Sequence, residues 1–217
     1  RYHNISNSQY ICPNDDEEAD RLIRTHEALK NFWGGLFHSP VEEKLRRGAQ
    51  VVDIGCGPGV WLLDMAKKYP KSHFVGIDFS PIFPTDGLPE NLEFVNCNFL
   101  DGSPFNDSYF EFTHQKFMIA AYTEEQWEEK AIPELLRITK PGGWIEIEEG
   151  DAAITSNGNS TQRIANAIKN YFKSKDLNWK IGESIPLLFE KTNAFSEIIN
   201  KKRTSAFGKK GGITGQE

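Results

Sequence analysis

The stretch Val51-Val52-Asp53-Ile54-Gly55-Cys56-Gly57-Pro58-Gly59 decides how this chain folds. Val51–Ile54 has the apolar character of a short buried strand, and the alternating glycines after it form a loop leading into a helix. Glycine lacks a Cβ, so a loop with this spacing turns tightly and lets a ligand approach its backbone. Three readings compete. A plain strand-to-helix turn needs the glycines only for positive φ. A dinucleotide loop asks for G-x-G-x-x-G and an open field of N–H donors around a phosphate. Here the glycines run G-x-G-x-G, and Asp53 stands two residues before the first. A fixed carboxylate is a poor neighbour for a pyrophosphate and a good one for a cation. The pattern therefore favours a ligand with an ammonium or sulfonium group, such as S-adenosylmethionine, over the other two.

Working outward, strands and helices alternate. Trp61–Tyr69 reads as a helix closed by Pro70, and His73–Ile77 as a second strand ending at Asp78. Leu92–Val95 and Tyr109–Thr113 read as the third and fourth strands. Glu124–Thr139 is helical, with Trp127, Ala131, Leu135 and Ile138 on one stripe. Pro141-Gly142-Gly143 breaks it and feeds a strand over Trp144–Glu149. Such alternation predicts an α/β fold, a doubly wound, Rossmann-like and mostly parallel sheet with helices on both faces. Upstream, a helical pattern runs from Glu17 to Phe37, with Asp15 and Asp16 placed to cap its start and Gly34-Gly35 to end it. Downstream, residues 161–176 read as a helix and Phe195–Arg203 as a strand. Gly208-Lys209-Lys210-Gly211-Gly212 reads as a solvated basic loop.

Composition narrows the function classes. The 217 residues carry 25 Lys and Arg against 31 Asp and Glu, a net charge of −6. That balance argues against general nucleic-acid binding, which rests on phosphate neutralisation. Cys12, Cys56 and Cys97 are odd in number, with no CxxC pair, so neither a disulfide framework nor a zinc site is expected and a reducing, cytoplasmic setting fits. No apolar run approaches the ~20 residues that span a bilayer, so no membrane role is expected.

Several side chains suggest chemistry in this setting. Asp78 closes the second strand, where a carboxylate can accept both ribose hydroxyls. By itself it would read as a turn residue of Asp78-Phe79-Ser80-Pro81. Asn96-Cys97-Asn98-Phe99 follows the third strand and offers an amide for a purine edge and an apolar wall. His114 follows an apolar strand and is a weak candidate for a general base, since a strand-end histidine is more often structural. His26 reads as packed or capping. The pairs Glu124-Glu125, Glu128-Glu129 and Glu148-Glu149 read as solvated surface, because adjacent acids on a helix do not face each other. No metal site is expected.

VVDIGCGPG, VGIDFSP and FVNCNFLDGSPF, in this order, resemble the motifs of class I S-adenosylmethionine-dependent methyltransferases, and ITKPGGWIEIEEGD resembles their fifth-strand segment. YICPNDDEEADRLIRTHEALK, NFWGGLFHSPV and GVWLLDMAKKYP resemble the fungal LaeA-like type. The resemblance covers nearly the whole chain. It implies S-adenosyl-L-methionine as cofactor, with Asp53 orienting its ammonium, and Gly55, Cys56, Gly57 and Gly59 lending their backbone. Asp78 would take the ribose hydroxyls, Phe79 would lie on the adenine, and Asn98 and Phe99 would read its edge. His114 and Gln115 would lie near the sulfonium. The helix from Glu17 would cover the cleft, bringing Tyr10 or His26 to its mouth.

The implied activity is methyl transfer to a small-molecule acceptor. The alternative is a cofactor-binding regulator of secondary metabolism with a protein partner, for which a nuclear setting would fit. Residues 1–40 are expected to form an extension with a cap helix, and 41–217 the methyltransferase domain. Two departures stand out. The acid usual in the fourth-strand segment is Glu111, and the family's antiparallel seventh strand has no counterpart. A C-terminally truncated domain lacking one strand is therefore expected.

Overall fold

The computed structural model describes residues 15–151, 154 and 158–206. Five parallel strands form one sheet: β1 (Gln50–Ile54), β2 (His73–Asp78), β3 (Leu92–Asn96), β4 (Phe110–Lys116) and β5 (Thr139–Glu148). Their order is β3-β2-β1-β4-β5, with Asp53 opposite His114 and Ile54 opposite Gln115. The chain winds outward in one direction through β2 and β3, then returns to the other side of β1. A switch point thus opens between β1 and β4, where such sheets bind ligands beyond their strand ends.

Side-chain alternation explains why both faces of the sheet are covered. Val51, Phe74 and Phe112 point to the face packed by α2 (Glu42–Arg47) through Leu45, and by α3 (Val60–Lys68) through Trp61, Leu62 and Met65. Val52, Ile54, Val75 and Ile77 point to the other. That face is packed by the helical run formed by α4 (Glu124–Gln126), one wide π turn and α5 (Ile132–Ile138). The expected stripe of Trp127, Ala131, Leu135 and Ile138 is fully buried here. Removing each such side chain from water is worth about 1.5–3 kcal/mol.

Helix α1 (Asp16–Trp33) begins where expected, the Asp15 carboxylate accepting from Glu18 N at 3.1 Å. It stops at Trp33, before the expected Phe37, because Gly34 adopts φ 79° and closes it onto Lys30 O. Leu22 reaches the glycine loop, so α1 covers that end of the sheet.

Three expectations are corrected. Pro141-Gly142-Gly143 does not end the helix and open a loop. It lies inside β5 as a bulge, where two steps along β4 (Phe110 to Phe112) face five along β5 (Thr139 to Trp144). Phe195–Arg203 is not a strand. Phe195 packs against Phe189, but Ile198 and Ile199 are both exposed, and the segment is tied down by Arg203 to Phe32 O and by Lys202 to Glu183 instead of by a strand ladder. The third correction is a helix the sequence reading passed over, α7 (Ile181–Thr192), which follows α6 (Asn159–Ser174). Ile181, Ile185, Leu188 and Phe189 put its apolar stripe on the sheet despite Pro186 in its interior. Among the described residues no helix is long and apolar enough to cross a membrane. Tyr10, Cys12 and the Gly208–Gly212 loop lie outside the described residues.

Candidate functional site

The glycine loop is folded by hydrogen bonds from its own backbone. Gly55 N and Cys56 N both donate to Ile77 O, at 2.8 and 3.0 Å, and Gly59 N donates to Cys56 O at 3.0 Å. Gly55, Gly57 and Gly59 all have positive φ, at 69°, 54° and 73°. Their surroundings differ. A Cβ on Gly55 would lie 2.5 Å from Met118 Sδ, and one on Gly59 would lie 2.4 Å from the Phe94 ring. One on Gly57 would meet only Leu22, at an ordinary 3.6 Å. The third glycine is therefore required by packing, whereas the second has room for a Cβ up against Leu22.

Two carboxylates flank this loop. Asp78, at the end of β2, accepts from Gly57 N through Oδ2 and from Ser80 N through Oδ1, both at 2.8 Å. Burial raises its pKa to about 6, against the pull of those amides, and the nearby Asp53 adds to the rise. Each oxygen keeps a second lone pair, so a hydroxyl can still be accepted there. Asp53, on β1, is buried with its Oδ1 2.7 Å from His114 Nδ1 across the sheet. A carboxylate oxygen can only accept, so the His114 ring presents its Nδ1–H to it. The same ring stacks on Trp61, with centroids 3.9 Å apart and planes within 3°, and Trp61 Nε1 donates to Leu36 O at 2.6 Å. His114 is only 1% exposed, its ring held between Asp53 and Trp61.

The remaining expected residues divide. Gln115 is fully buried between Ile54 and Ile147, and neither atom of its amide has a hydrogen-bond partner. An orphaned buried amide is costly unless a ligand completes it. Cys56 is buried, and burial, with Asp78 and Asp53 nearby, raises its thiol well above the usual range, so it is not poised as a nucleophile. Phe79 is half-buried beside Asp78. Phe99 packs into the core, and Asn98 is exposed with its side chain engaged elsewhere. Its Oδ1 accepts from Leu100 N at 3.3 Å, and its Nδ2 donates to Asp101 Oδ2 at 2.8 Å, capping a 3-10 turn over Phe99–Asp101.

Glu149 was not visible as a site residue in the sequence. Glu149, expected on the solvated surface, turns its carboxyl inward to accept from Met118 N at 2.7 Å and Ile119 N at 3.0 Å. Only the pairing of β5 with β4 brings these residues together. His26, expected to be packed or to lie at the cleft mouth, is on the buried side of α1, with Nε2 3.3 Å from Asp64 Oδ2 and Nδ1 3.4 Å from Lys116 Nζ. Burial first, and then Lys116, lower its pKa. His26, Glu27 and Asp64 stand close enough to share a cation. Lys30 Nζ, at 2.6 Å from Asp64, already answers that charge.

The glycine loop, the two carboxylates and the unpartnered Gln115 amide fit a cofactor with a cation at one end and ribose hydroxyls at the other. Comparison with known proteins agrees. Residues 51–143 match a methyltransferase domain family. The chain is 29% identical over 153 residues to the N-methyltransferase verN of Clonostachys rogersoniana, covering 69% of this chain and 53% of that protein. It is also 29% identical, over 171 residues, to the secondary metabolism regulator laeA of Monascus pilosus, covering 76% of this chain and 43% of that protein. The chain spans about half the length of these curated relatives. A solved Methanococcus maripaludis structure, assigned as an S-adenosyl-L-methionine-dependent methyltransferase, shares the fold at TM-score 0.55. It is 19% identical, over 88% of this chain and 90% of that one.

Fold, loop and comparisons define a class I S-adenosylmethionine-dependent methyltransferase, with S-adenosyl-L-methionine as its cofactor. Within that class, the chain is similar to fungal proteins that include the secondary metabolism regulator LAE1 of Cochliobolus heterostrophus, 31% identical over 69% of this chain and 48% of that protein.

Proposed function

We propose that this chain binds S-adenosylmethionine at the switch point between β1 and β4 and transfers its methyl group to a small-molecule acceptor. The observation that carries the reading is the pair of carboxylates, Asp53 and Asp78, on either side of a glycine loop whose middle residue donates its N–H to Asp78. The bound cofactor supplies a methyl group on a sulfonium, already activated toward a nucleophile. The protein's part is then chiefly to hold donor and acceptor in line. Asp53, oriented by His114, faces the ammonium. Gly55, Cys56, Gly57 and Gly59 present backbone, and Asp78 accepts the ribose hydroxyls while holding Gly57. Phe79 lies against the adenine, Phe99 supports its edge, and Asn98 reaches that edge by releasing Asp101. The Gln115 amide finds its missing partners near the sulfonium. Residues 1–40 act as a cap over a domain formed by 41–217, in a cytoplasmic setting.

A second reading rests on the LaeA-type relatives, named as regulators of secondary metabolism. In it the same site serves a complex with a protein partner, in the nucleus, with little turnover. Calorimetric titration with S-adenosylmethionine, S-adenosylhomocysteine and NAD tests what both readings share. Binding of the first two is expected, and binding of NAD alone would overturn them. Transfer of labelled methyl into a small-molecule extract supports the enzyme, whereas binding without any transfer favours the regulator.

A further inference from the structure

Beyond β4 the chain does something unusual for a non-glycine residue. Phe117 adopts φ 57°, a left-handed conformation that an aromatic side chain disfavours. Such strain persists only where the surroundings impose it, and it gathers at functional sites. Here the surroundings are explicit. Phe117 N donates to Glu148 O at 3.0 Å, and Met118 N and Ile119 N donate to the two oxygens of Glu149. Ala121 N then closes a turn onto Met118 O at 2.9 Å. The consequence is the position of the Met118 thioether. Its Sδ would lie 2.5 Å, and its Cε 3.2 Å, from a Cβ on Gly55, so the side chain lies directly over the first glycine of the loop.

We propose that the Glu149 carboxyl is a positioning residue that pins Phe117–Ile119, and that Met118, so held, is a fixed wall for the methionine end of the cofactor. The inference rests on the cofactor site proposed above and adds to it a wall on the β4 side and the group that builds it. A wall is favoured over a plug because the segment is held on both sides of Met118, and a group that had to swing away would be tethered less. The thioether is polarisable and apolar, suited to contact with the methylene and sulfur atoms of such a ligand. Leu22 of α1 covers Gly57 from another direction, so wall and cap address different glycines of one loop.

The chain contains only two methionines, Met65 and Met118. Met65 is fully buried in the α3 core and serves as an internal control. In protein carrying 13C-methyl methionine, S-adenosylhomocysteine is expected to shift the Met118 signal and leave that of Met65 in place. Glu149→Ala should move the Met118 signal even without ligand and weaken S-adenosylhomocysteine binding about tenfold or more. Glu149→Gln, which retains a carbonyl acceptor, should recover part of both. Should Glu149→Ala fail to fold, the unmodified protein still decides, and Met118→Ala, which leaves the pin intact, should also weaken binding. Calorimetric binding of S-adenosylhomocysteine with an unmoved Met118 signal would overturn the wall and leave the cofactor site standing. No calorimetric binding at all would overturn both.

Discussion

Gly57→Ala and Gly59→Ala are the same substitution, two residues apart, in the same left-handed backbone region, yet they should behave differently. Both carry the cost of placing a Cβ at positive φ, about 1–2 kcal/mol. At Gly57 the new methyl meets only Leu22 at 3.6 Å, an ordinary contact. At Gly59 it meets Phe94 Cζ at 2.4 Å and Cε1 at 2.6 Å, and that ring yields only by leaving its stack on Phe83, 4.8 Å away. Overpacking of this kind costs about 1–3 kcal/mol. Gly59→Ala should therefore be the less stable of the two by about 1–3 kcal/mol, which is about 2–12 °C in Tm at about 2–4 °C per kcal/mol for a chain of this size. Urea unfolding and thermal melts of the cofactor-free proteins measure the gap. Phe94→Leu removes the ring atoms that clash, so in that background the gap should close. Equal stability of the two alanine variants, or a gap that survives Phe94→Leu, would refute the assignment of Gly59 to packing.

Three further outcomes follow from the same geometry. Asp78→Ala should weaken S-adenosylhomocysteine binding by about 1–3 kcal/mol in calorimetry, the scale of lost charge-assisted hydrogen bonds; unchanged affinity would mean that the ribose is held elsewhere. Gln115→Leu should leave the cofactor-free protein as stable as before or more so, since it replaces an amide without partners, while cofactor affinity falls. A clear loss of stability in chemical denaturation would show that the amide is already satisfied. Burial raises the Glu149 carboxyl from 4.5 to about 8, against two amide bonds and with Glu148 adding to the rise. The fold thus holds this proton more tightly than the unfolded chain does. Its contribution to stability is complete below about pH 4.5 and is lost as pH rises through about 8. Unfolding free energy should therefore decline between about pH 4.5 and 8, and Glu149→Gln, neutral throughout, should flatten that decline. Equal slopes in the two proteins would exclude Glu149 as its source.

Much of the fold was legible because its causes are local. Apolar strands separated by helical stripes, Gly34 after α1 and Asp15 before it act over a few residues. The same holds for the acid–glycine loop, whose spacing announced the cofactor class before any contact was known. The errors arose where the decision was not local. Pro141-Gly142-Gly143 reads as a break, but the ladder between β4 and β5 absorbs it as a bulge. Phe195–Arg203 has strand-like residues but leaves Ile198 and Ile199 exposed, and α7 forms because the burial of its apolar stripe in the core outweighs Pro186.

The site shows the same division. The sequence alone determined that a carboxylate, a glycine loop and a second carboxylate follow one another at the ends of two parallel strands, since local hydrophobic pattern and backbone conformation dictate that. Tertiary structure decided which of those groups faces what. It set His114 against Asp53, moved Asn98 to a cap and assigned Gly59 to Phe94. It also turned Glu149 inward to hold Met118 over Gly55. Apart from the local Asn98 cap, these contacts join distant residues, Asp53 and His114 being 61 positions apart, and only the strand order β3-β2-β1-β4-β5 brings them within hydrogen-bonding or van der Waals reach.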